Sequence, residues 1–235
     1  SFEMVTQQLL VVQKGLGEMQ NIASGVGDLK KVLSNVKTRG VLGEIQLGSI
    51  LEEIMSREQY DTNVKTKKGS DAIVEFAIKL PGKENNEGAV YLPIDAKFPQ
   101  EDYVRLQTAY EAGDPVAVEL SLKALLQAVK KFAKDISTKY IDPPNTTDFG
   151  IMFLPIEGLF AEVVRQPDMI AFLQREYKIV VTGPTTLAAM LNSLQMGFKT
   201  LAIQKRSSEV WNVLAAVKKE FNTFGGVLEK AQKKL

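Results

Sequence analysis

The 235-residue sequence contains no histidine and no cysteine. These two absences exclude hydrolase triads that use a histidine base, zinc sites with imidazole or thiolate ligands, and disulfide bonds. Any chemistry must therefore use carboxylates, amines, hydroxyls and phenols. A cation bound by such groups would be a hard ion such as Mg²⁺ or Mn²⁺, which prefers oxygen ligands.

The sequence also lacks a strong charge of either sign and a long apolar run. Its 29 basic and 28 acidic side chains give a formal net charge of +1, so any basic surface for nucleic acid must be local. No stretch reaches about 18 apolar residues, which predicts no membrane contact within this chain. We expect a cytoplasmic location. Because the sequence begins with Ser1 inside a helical pattern, we expect it to be part of a longer chain.

Residues 1–37 have the pattern of one long helix of coiled-coil type. An apolar residue recurs every seven positions, at Val5, Val12, Met19, Val26 and Leu33. Several glycines weaken this helix, each by about 1 kcal/mol relative to alanine, so the helix needs a partner. The pattern predicts either a homo-oligomer formed through this segment or a helix that packs on its own domain.

Residues 38–235 are expected to form one α/β domain with a mixed central sheet, flanking helices and a helical C-terminal part. Alternating or continuous apolar runs predict strands over residues 71–80, 90–97, 150–155 and 178–182. Broader apolar periodicity predicts helices over residues 41–55, 102–112, 115–140, 159–164 and 167–177, followed by a helix after Pro184. The first two strands most simply form an antiparallel hairpin with a long loop from Pro81 to Gly88.

Three residues of this hairpin suggest hydrolytic chemistry. Asp95 and Lys97 lie two apart in a predicted strand, so both side chains point to the same face. Asp71 begins the neighbouring strand, and the start of one hairpin strand lies near the end of the other. Two carboxylates could hold Mg²⁺ or Mn²⁺, while the lysine orients the attacking water and offsets phosphate charge. The alternative is an ordinary surface ion pair, worth about 0 to 1 kcal/mol.

Glu44, in the preceding helix, adds a third acid, and this order of groups resembles the core of the PD-(D/E)xK nucleases. The sequence also contains, in order, Arg39-Gly40-x-x-Gly43-Glu44, Leu92-Pro93-Ile94-Asp95-Ala96-Lys97-Phe98-Pro99 with Tyr103, Lys139-Tyr140-Ile141, Phe153-Leu154-Pro155-x-Glu157 and Gly183-Pro184-Thr185-Thr186-Leu187. Over roughly residues 38 to 205 these motifs resemble the bacterial RmuC family of proteins linked to DNA recombination. The coiled-coil segment fits the same family.

The resemblance implies a restriction-endonuclease-like fold and a Mg²⁺-dependent DNA nuclease, a hydrolase that cuts phosphodiester bonds. It makes Glu44, Asp71 and Asp95 the metal ligands and Lys97 the catalytic lysine. One departure is that Gly69-Ser70 precede Asp71, where the family commonly has Arg-Pro, so a phosphate contact would be lost. The family also allows for a membrane anchor upstream of Ser1.

The candidate DNA contacts come from local charge and from the family motifs. They are Lys67, Lys68, Lys139, Tyr140, Thr185 and Thr186. Thr185 and Thr186 either hold a phosphate at a helix N-terminus or simply cap the helix. Glu157 is either a further acid at the site or a carboxylate placed against a helix N-terminus, and Tyr103 has no assigned role. The functional alternative to a nuclease is a DNA-binding or scaffolding protein that keeps the fold without turnover.

Overall fold

The computed structural model describes residues 36–80 and 89–232. The predicted coiled-coil segment therefore lies almost wholly outside the described residues, and so does the loop predicted from Pro81 to Gly88. The first described helix runs over Val36–Ile54 and crosses the domain boundary predicted after residue 37 without a break.

Six α-helices and five strands follow one another in the described residues. In chain order they are α1 (Val36–Ile54), β1 (Tyr60–Val64), β2 (Val74–Leu80), β3 (Val90–Ala96), α2 (Gln100–Ala112), α3 (Pro115–Tyr140), β4 (Gly150–Phe153), α4 (Glu157–Val164), α5 (Pro167–Tyr177), β5 (Ile179–Thr182) and α6 (Pro184–Gln232), with a short 3-10 helix at Arg57–Gln59. The strands form one sheet in the order β1-β2-β3-β4-β5.

The sheet is mixed, as the sequence predicts. Strands β1, β2 and β3 pair antiparallel, whereas β3, β4 and β5 pair parallel. The predicted hairpin is confirmed, with Phe76 opposite Ile94 and Leu80 opposite Val90. Two details differ from the prediction: β2 begins at Val74 instead of Asp71, and β1 is an additional edge strand.

Helices α1 and α3 pack on opposite faces of the sheet, α1 on β3 and α3 on β4 and β5. A Cβ added at Gly43 of α1 would lie 3.4 Å from the Cβ of Ala96, so the absence of a side chain there lets the helix approach the sheet. On the other face, a Cβ at Gly150 would lie 3.5 Å from Pro93 and 3.6 Å from Ile136 of α3. Since Pro93 and Ala96 point to opposite faces of the strand, the sheet forms the middle layer.

Buried side chains of α3 recur at a spacing of three and four, which gives this helix its apolar face. They are Leu125, Val129, Ala133 and Ile136, and they join Met152 of β4 and Ile179 of β5 in the core. Asp114 caps the start of this helix, because its carboxylate accepts hydrogen bonds from the backbone N–H groups of Val116 and Ala117. At the other end of the helix, the carbonyl of Tyr140 accepts a hydrogen bond from the hydroxyl of Thr66.

The chain divides into two compact units, Ser1–Thr185 and Thr186–Leu235. The first unit contains the whole sheet. The second consists, in its described part, of the body of α6, which exposes Met196, Ile203, Val210 and Trp211. None of the helices in the described ranges is both long and apolar enough to cross a membrane.

Candidate functional site

Asp95 is a buried carboxylate at the end of β3. Its side chain is only 1% exposed, and the Nζ of Lys97 lies 2.5 Å from its Oδ2. Lys97 is held in place because its backbone N–H donates to the carbonyl of Phe153, which extends the β3–β4 pairing. The predicted juxtaposition of Asp95 and Lys97 is therefore present, and it is more buried than a surface ion pair.

Glu75 of β2 is the second acid at this site. Phe76 pairs with Ile94, so continuing the antiparallel register by one residue places Glu75 opposite Asp95. The Oε2 of Glu75 accepts a hydrogen bond of 3.2 Å from the backbone N–H of Ala96. Burial, and then the negative charge of Asp95, raise the pKa of the Glu75 carboxyl to about 7. Two acids thus face each other across neighbouring strands beside one lysine.

The buried position of Asp95 also affects its own charge state. Burial raises the pKa of the Asp95 carboxyl, while the Lys97 ammonium, the Tyr140 hydroxyl and the positive charge of Lys139 oppose that rise. The pKa of Tyr140 is raised by burial and by the charges of Asp95 and Glu75. Lys139 and Tyr140, predicted from sequence as DNA contacts, therefore lie beside the acids.

Glu44 approaches the same cluster from α1. Its negative charge contributes to the raised pKa of Glu75, and the two side chains line one groove. The position of Glu44 beside the site agrees with the sequence prediction. Its role as a ligand stays a prediction.

Asp71 is not brought to this cluster. Its side chain is fully exposed and forms an ion pair of 2.8 Å with Lys65. The physical reason is the register: β2 begins at Val74, so Asp71 lies beyond the end of the strand that faces Asp95. In the structure, Glu75 holds the place that the sequence interpretation gave to Asp71.

The basic segment that precedes β2 folds against the C-terminal end of α3. The ammonium of Lys67 donates to the carbonyl of Thr138 at 3.0 Å, and the hydroxyl of Thr66 donates to the carbonyl of Tyr140 at 2.8 Å. A cation at this end of a helix also interacts favourably with the helix dipole. The backbone N–H of Lys68 donates to Asp142, so both predicted lysines lie on the side of the fold that carries Tyr140.

The start of α6 is capped by a carboxylate. The backbone N–H of Thr185 donates to the Oε1 of Glu157 at 2.5 Å. This contact agrees with the prediction that Glu157 lies against a helix N-terminus, and it favours capping over phosphate binding at Thr185. Thr186 belongs to the second compact unit, and its DNA contact stays a prediction. Tyr103 lies with its hydroxyl against Gly158, at the start of α4.

The residues present suit a hard divalent cation of the Mg²⁺ kind. Both carboxylate oxygens of Asp95 are buried, and the Lys97 ammonium lies against Oδ2, where a bound cation would also be stabilised. Within residues 36–80 and 89–232 no three carboxylates form a closed metal cage. Mg²⁺ does not require such a cage, because it usually keeps several waters and binds one or two carboxylates together with substrate phosphates. Glu75 and Asp95 provide that number of acids.

Comparison with known proteins adds to this geometry. A protein of Xylella fastidiosa named "DNA recombination protein RmuC homolog" is 54% identical over 235 residues, which are 100% of this chain and 52% of that protein. The Pseudomonas aeruginosa protein of the same name is 27% identical over 205 residues, covering 81% of this chain and 43% of the relative. The Escherichia coli "DNA recombination protein RmuC" is 26% identical over 212 residues, covering 83% and 42%.

This chain thus spans about half the length of the curated relatives that it matches. No solved structure matches it. The model of the RmuC family matches residues 1–235, and the chain therefore belongs to the RmuC family.

Proposed function

We propose that this chain forms the catalytic part of a DNA recombination protein and hydrolyses phosphodiester bonds with the help of Mg²⁺ or Mn²⁺. The observation that carries the proposal is the cluster of Glu75, Asp95 and Lys97 on two neighbouring strands. The names of the family relatives support DNA as the substrate. The helix-and-hairpin arrangement supports assignment to the PD-(D/E)xK nucleases, which use two acids and a lysine.

Each residue of the cluster has a definite task in this proposal. Glu75 and Asp95 would hold the ion, which, when bound, activates a water molecule and polarises the phosphate. Lys97 hydrogen-bonds to the attacking water and offsets the charge that develops on the phosphate. Burial keeps Asp95 away from bulk water, so its interaction with a positive charge is stronger than at the surface.

The basic groups beside the cluster would position the DNA strand. Lys139 lies close enough to Asp95 to lower its pKa, and Lys67 and Lys68 pack against the same end of α3. Cations placed in this way bind the phosphate backbone without reading its sequence. They thus supply affinity and register, while the acids and Lys97 supply chemistry.

A non-catalytic DNA-binding protein is the second candidate function. It is favoured by the position of the Lys97 ammonium, which lies against Asp95 where a cation would bind. In that case the ion pair would hold the end of β3, and the basic groups would bind DNA without turnover. Cleavage measurements separate the two functions.

The decisive experiment compares acid variants in a cleavage assay with linear and single-stranded DNA plus Mg²⁺ or Mn²⁺. We expect Glu75→Gln, Asp95→Asn and Lys97→Ala each to lower the cleavage rate by about 100-fold or more. Asp71→Asn is the matched control, because Asp71 lies in the connection between β1 and β2, outside the cluster. Cleavage that survives Lys97→Ala would reject the nuclease. A loss of cleavage in Asp71→Asn but not in Glu75→Gln would favour Asp71 over Glu75 as the second acid.

A further inference from the structure

A groove of about 470 Å³ opens beside the candidate site, between α1 and the strands β1 and β2. It begins at Glu75, which it shares with the site. Glu44, Ser49 and Glu52 line it from α1, and Asn63 lines it from β1. A molecule bound at Glu75 therefore has direct access to this groove.

The charge of the groove excludes a phosphate. Glu44, Glu52 and Glu75 line it, and no lysine or arginine does so among the described residues. These carboxylates accept hydrogen bonds but cannot donate them when ionised. The groove therefore favours a ligand that carries N–H donors and no negative charge.

The groove also has apolar surface that can contact a flat ring. Ile45 is 60% exposed although it is apolar, and Phe76 forms part of the wall. Gly48 lets the phenyl ring of Phe76 lie close against α1, since a Cβ there would lie 3.2 Å from the ring. Apolar contact combined with carboxylate acceptors suits a nucleobase, whose faces are apolar and whose edge carries an amino group.

We propose that this groove binds an unpaired nucleobase of the DNA strand whose phosphate lies at the Glu75–Asp95–Lys97 cluster. The inference rests on the proposed function, because it takes DNA as the ligand of that cluster. A base inside a duplex is stacked and has its edge paired, so only single-stranded or frayed DNA can place a base there. Adenine and cytosine, which present an amino group on the pairing edge, bind better than thymine, which presents carbonyl oxygens on either side of its single N–H.

The experiment measures fluorescence anisotropy of labelled oligo-dA, oligo-dC and oligo-dT, and of a dumbbell duplex closed at both ends by non-nucleotide linkers, which has no unpaired base. Ca²⁺ replaces Mg²⁺ so that DNA is bound but not cut. Wild-type protein should bind oligo-dA and oligo-dC more tightly than oligo-dT. Ser49→Phe, which fills the groove from an exposed helix position, should weaken oligo-dA binding about tenfold and leave dumbbell binding unchanged.

A matched pair of charge variants tests the acceptor role of the carboxylates. Glu52 lines the groove, whereas Glu53 is exposed on the same helix and does not line it. Glu52→Gln should reduce the preference for oligo-dC over oligo-dT, and Glu53→Gln should leave it unchanged. Equal effects of the two variants, or an unchanged affinity of Ser49→Phe for oligo-dA, would overturn the groove assignment.

The outcome for the groove is separable from the outcome for the nuclease. If Ser49→Phe loses single-strand binding while wild-type protein cuts no DNA in Mg²⁺ or Mn²⁺, the groove stands and the nuclease fails. If wild-type protein cuts DNA but Ser49→Phe binds and cuts oligo-dA normally, the nuclease stands and the groove fails. Circular dichroism of each variant confirms that the fold is intact.

Discussion

At the scale of single residues, Glu75 is the group whose environment most alters its chemistry. Burial and the facing carboxylate of Asp95 raise its pKa from 4.5 to about 7. At neutral pH Glu75 is therefore protonated in some molecules and ionised in the others. A bound cation would favour the ionised form, and the same two acids would repel each other without one.

This pKa predicts how stability depends on pH in the absence of metal. Below about pH 4.5 Glu75 carries its proton in both the folded and the unfolded chain. Between about pH 4.5 and about pH 7 the unfolded chain loses the proton while the folded chain keeps it, so the free energy of unfolding falls as pH rises through this window. Above the pKa of Glu75 in the folded chain, the free energy of unfolding falls no further from this cause.

Thermal unfolding in EDTA measures this effect. Glu75→Gln removes the titration, so the variant should gain in melting temperature relative to wild type as pH rises from acid to neutral. Glu53→Gln, an exposed position on α1, is the control and should follow the wild-type curve. If the difference in melting temperature between Glu75→Gln and wild type stays constant from about pH 4.5 to about pH 7, the assigned environment of Glu75 is contradicted.

At the scale of elements, the hairpin shows both what the sequence could predict and what it could not. Alternating apolar residues correctly predicted β2, β3 and their antiparallel pairing. To decide whether Asp71 or Glu75 lies opposite Asp95, one needs the register of β2 against β3. Both lie on the same face of the predicted strand, so alternation alone does not distinguish them. The missing information was the register across the loop, which alternation of single residues does not contain.

Strand β1 was not predictable for a different reason. Its sequence, Tyr-Asp-Thr-Asn-Val, is short and mostly polar, and only Tyr60 is buried. An edge strand pairs on one side only, so its sequence need not carry the apolar alternation of a half-buried strand. Its position depends on β2, with Thr62 opposite Phe76, and long-range pairing of this kind is not visible in local sequence.

The start of α6 provides a prediction at the scale of one helix. A Cβ at Gly183 would lie 2.8 Å from the Oε2 of Glu157 and 2.9 Å from the ring of Phe160. Gly183→Ala must therefore displace the carboxylate that caps Thr185, and we expect it to lower the free energy of unfolding by about 1–3 kcal/mol. Urea denaturation followed by circular dichroism measures this change.

Gly197 is the matched control for Gly183. It lies inside α6, and apart from the backbone of its own helix and its two chain neighbours, no described residue places an atom within 4 Å of an added Cβ. Alanine at that position removes the flexibility of glycine from a helix interior, so Gly197→Ala should stabilise the chain by up to about 1 kcal/mol. The same sign for both glycines would show that backbone propensity, and not the close approach at Gly183, determines the result.

At the scale of the whole molecule, self-association is a prediction that rests on residues outside the described ranges. The seven-residue repeat of residues 1–37 requires a partner helix, and we propose that a second copy provides it. Deletion of residues 1–35, just before the first described residue, should lower the mass in solution to that of a monomer. Light scattering at matched concentrations checks this, and an unchanged mass would place the interface elsewhere in the chain.

The charge of the whole molecule also bears on DNA binding. A net charge of +1 provides almost no global attraction for a polyanion, so affinity must come from local groups. Lys139 and Lys123 allow this to be tested, because both are exposed lysines of α3. They lie 16 residues apart in number, about 24 Å along the helix axis, and only Lys139 is beside Asp95.

Lys139→Ala should weaken single-stranded DNA binding and reduce the slope of log affinity against log salt by about 0.7, the value for one lost phosphate contact. Lys123→Ala removes the same charge from the same helix and should leave the slope unchanged. Titrations at several salt concentrations in Ca²⁺ measure both slopes without cleavage. Equal slopes for the two variants would mean that the strand does not pass the Asp95 end of α3, and the contacts assigned to Lys67 and Lys68 at that end would fail with it.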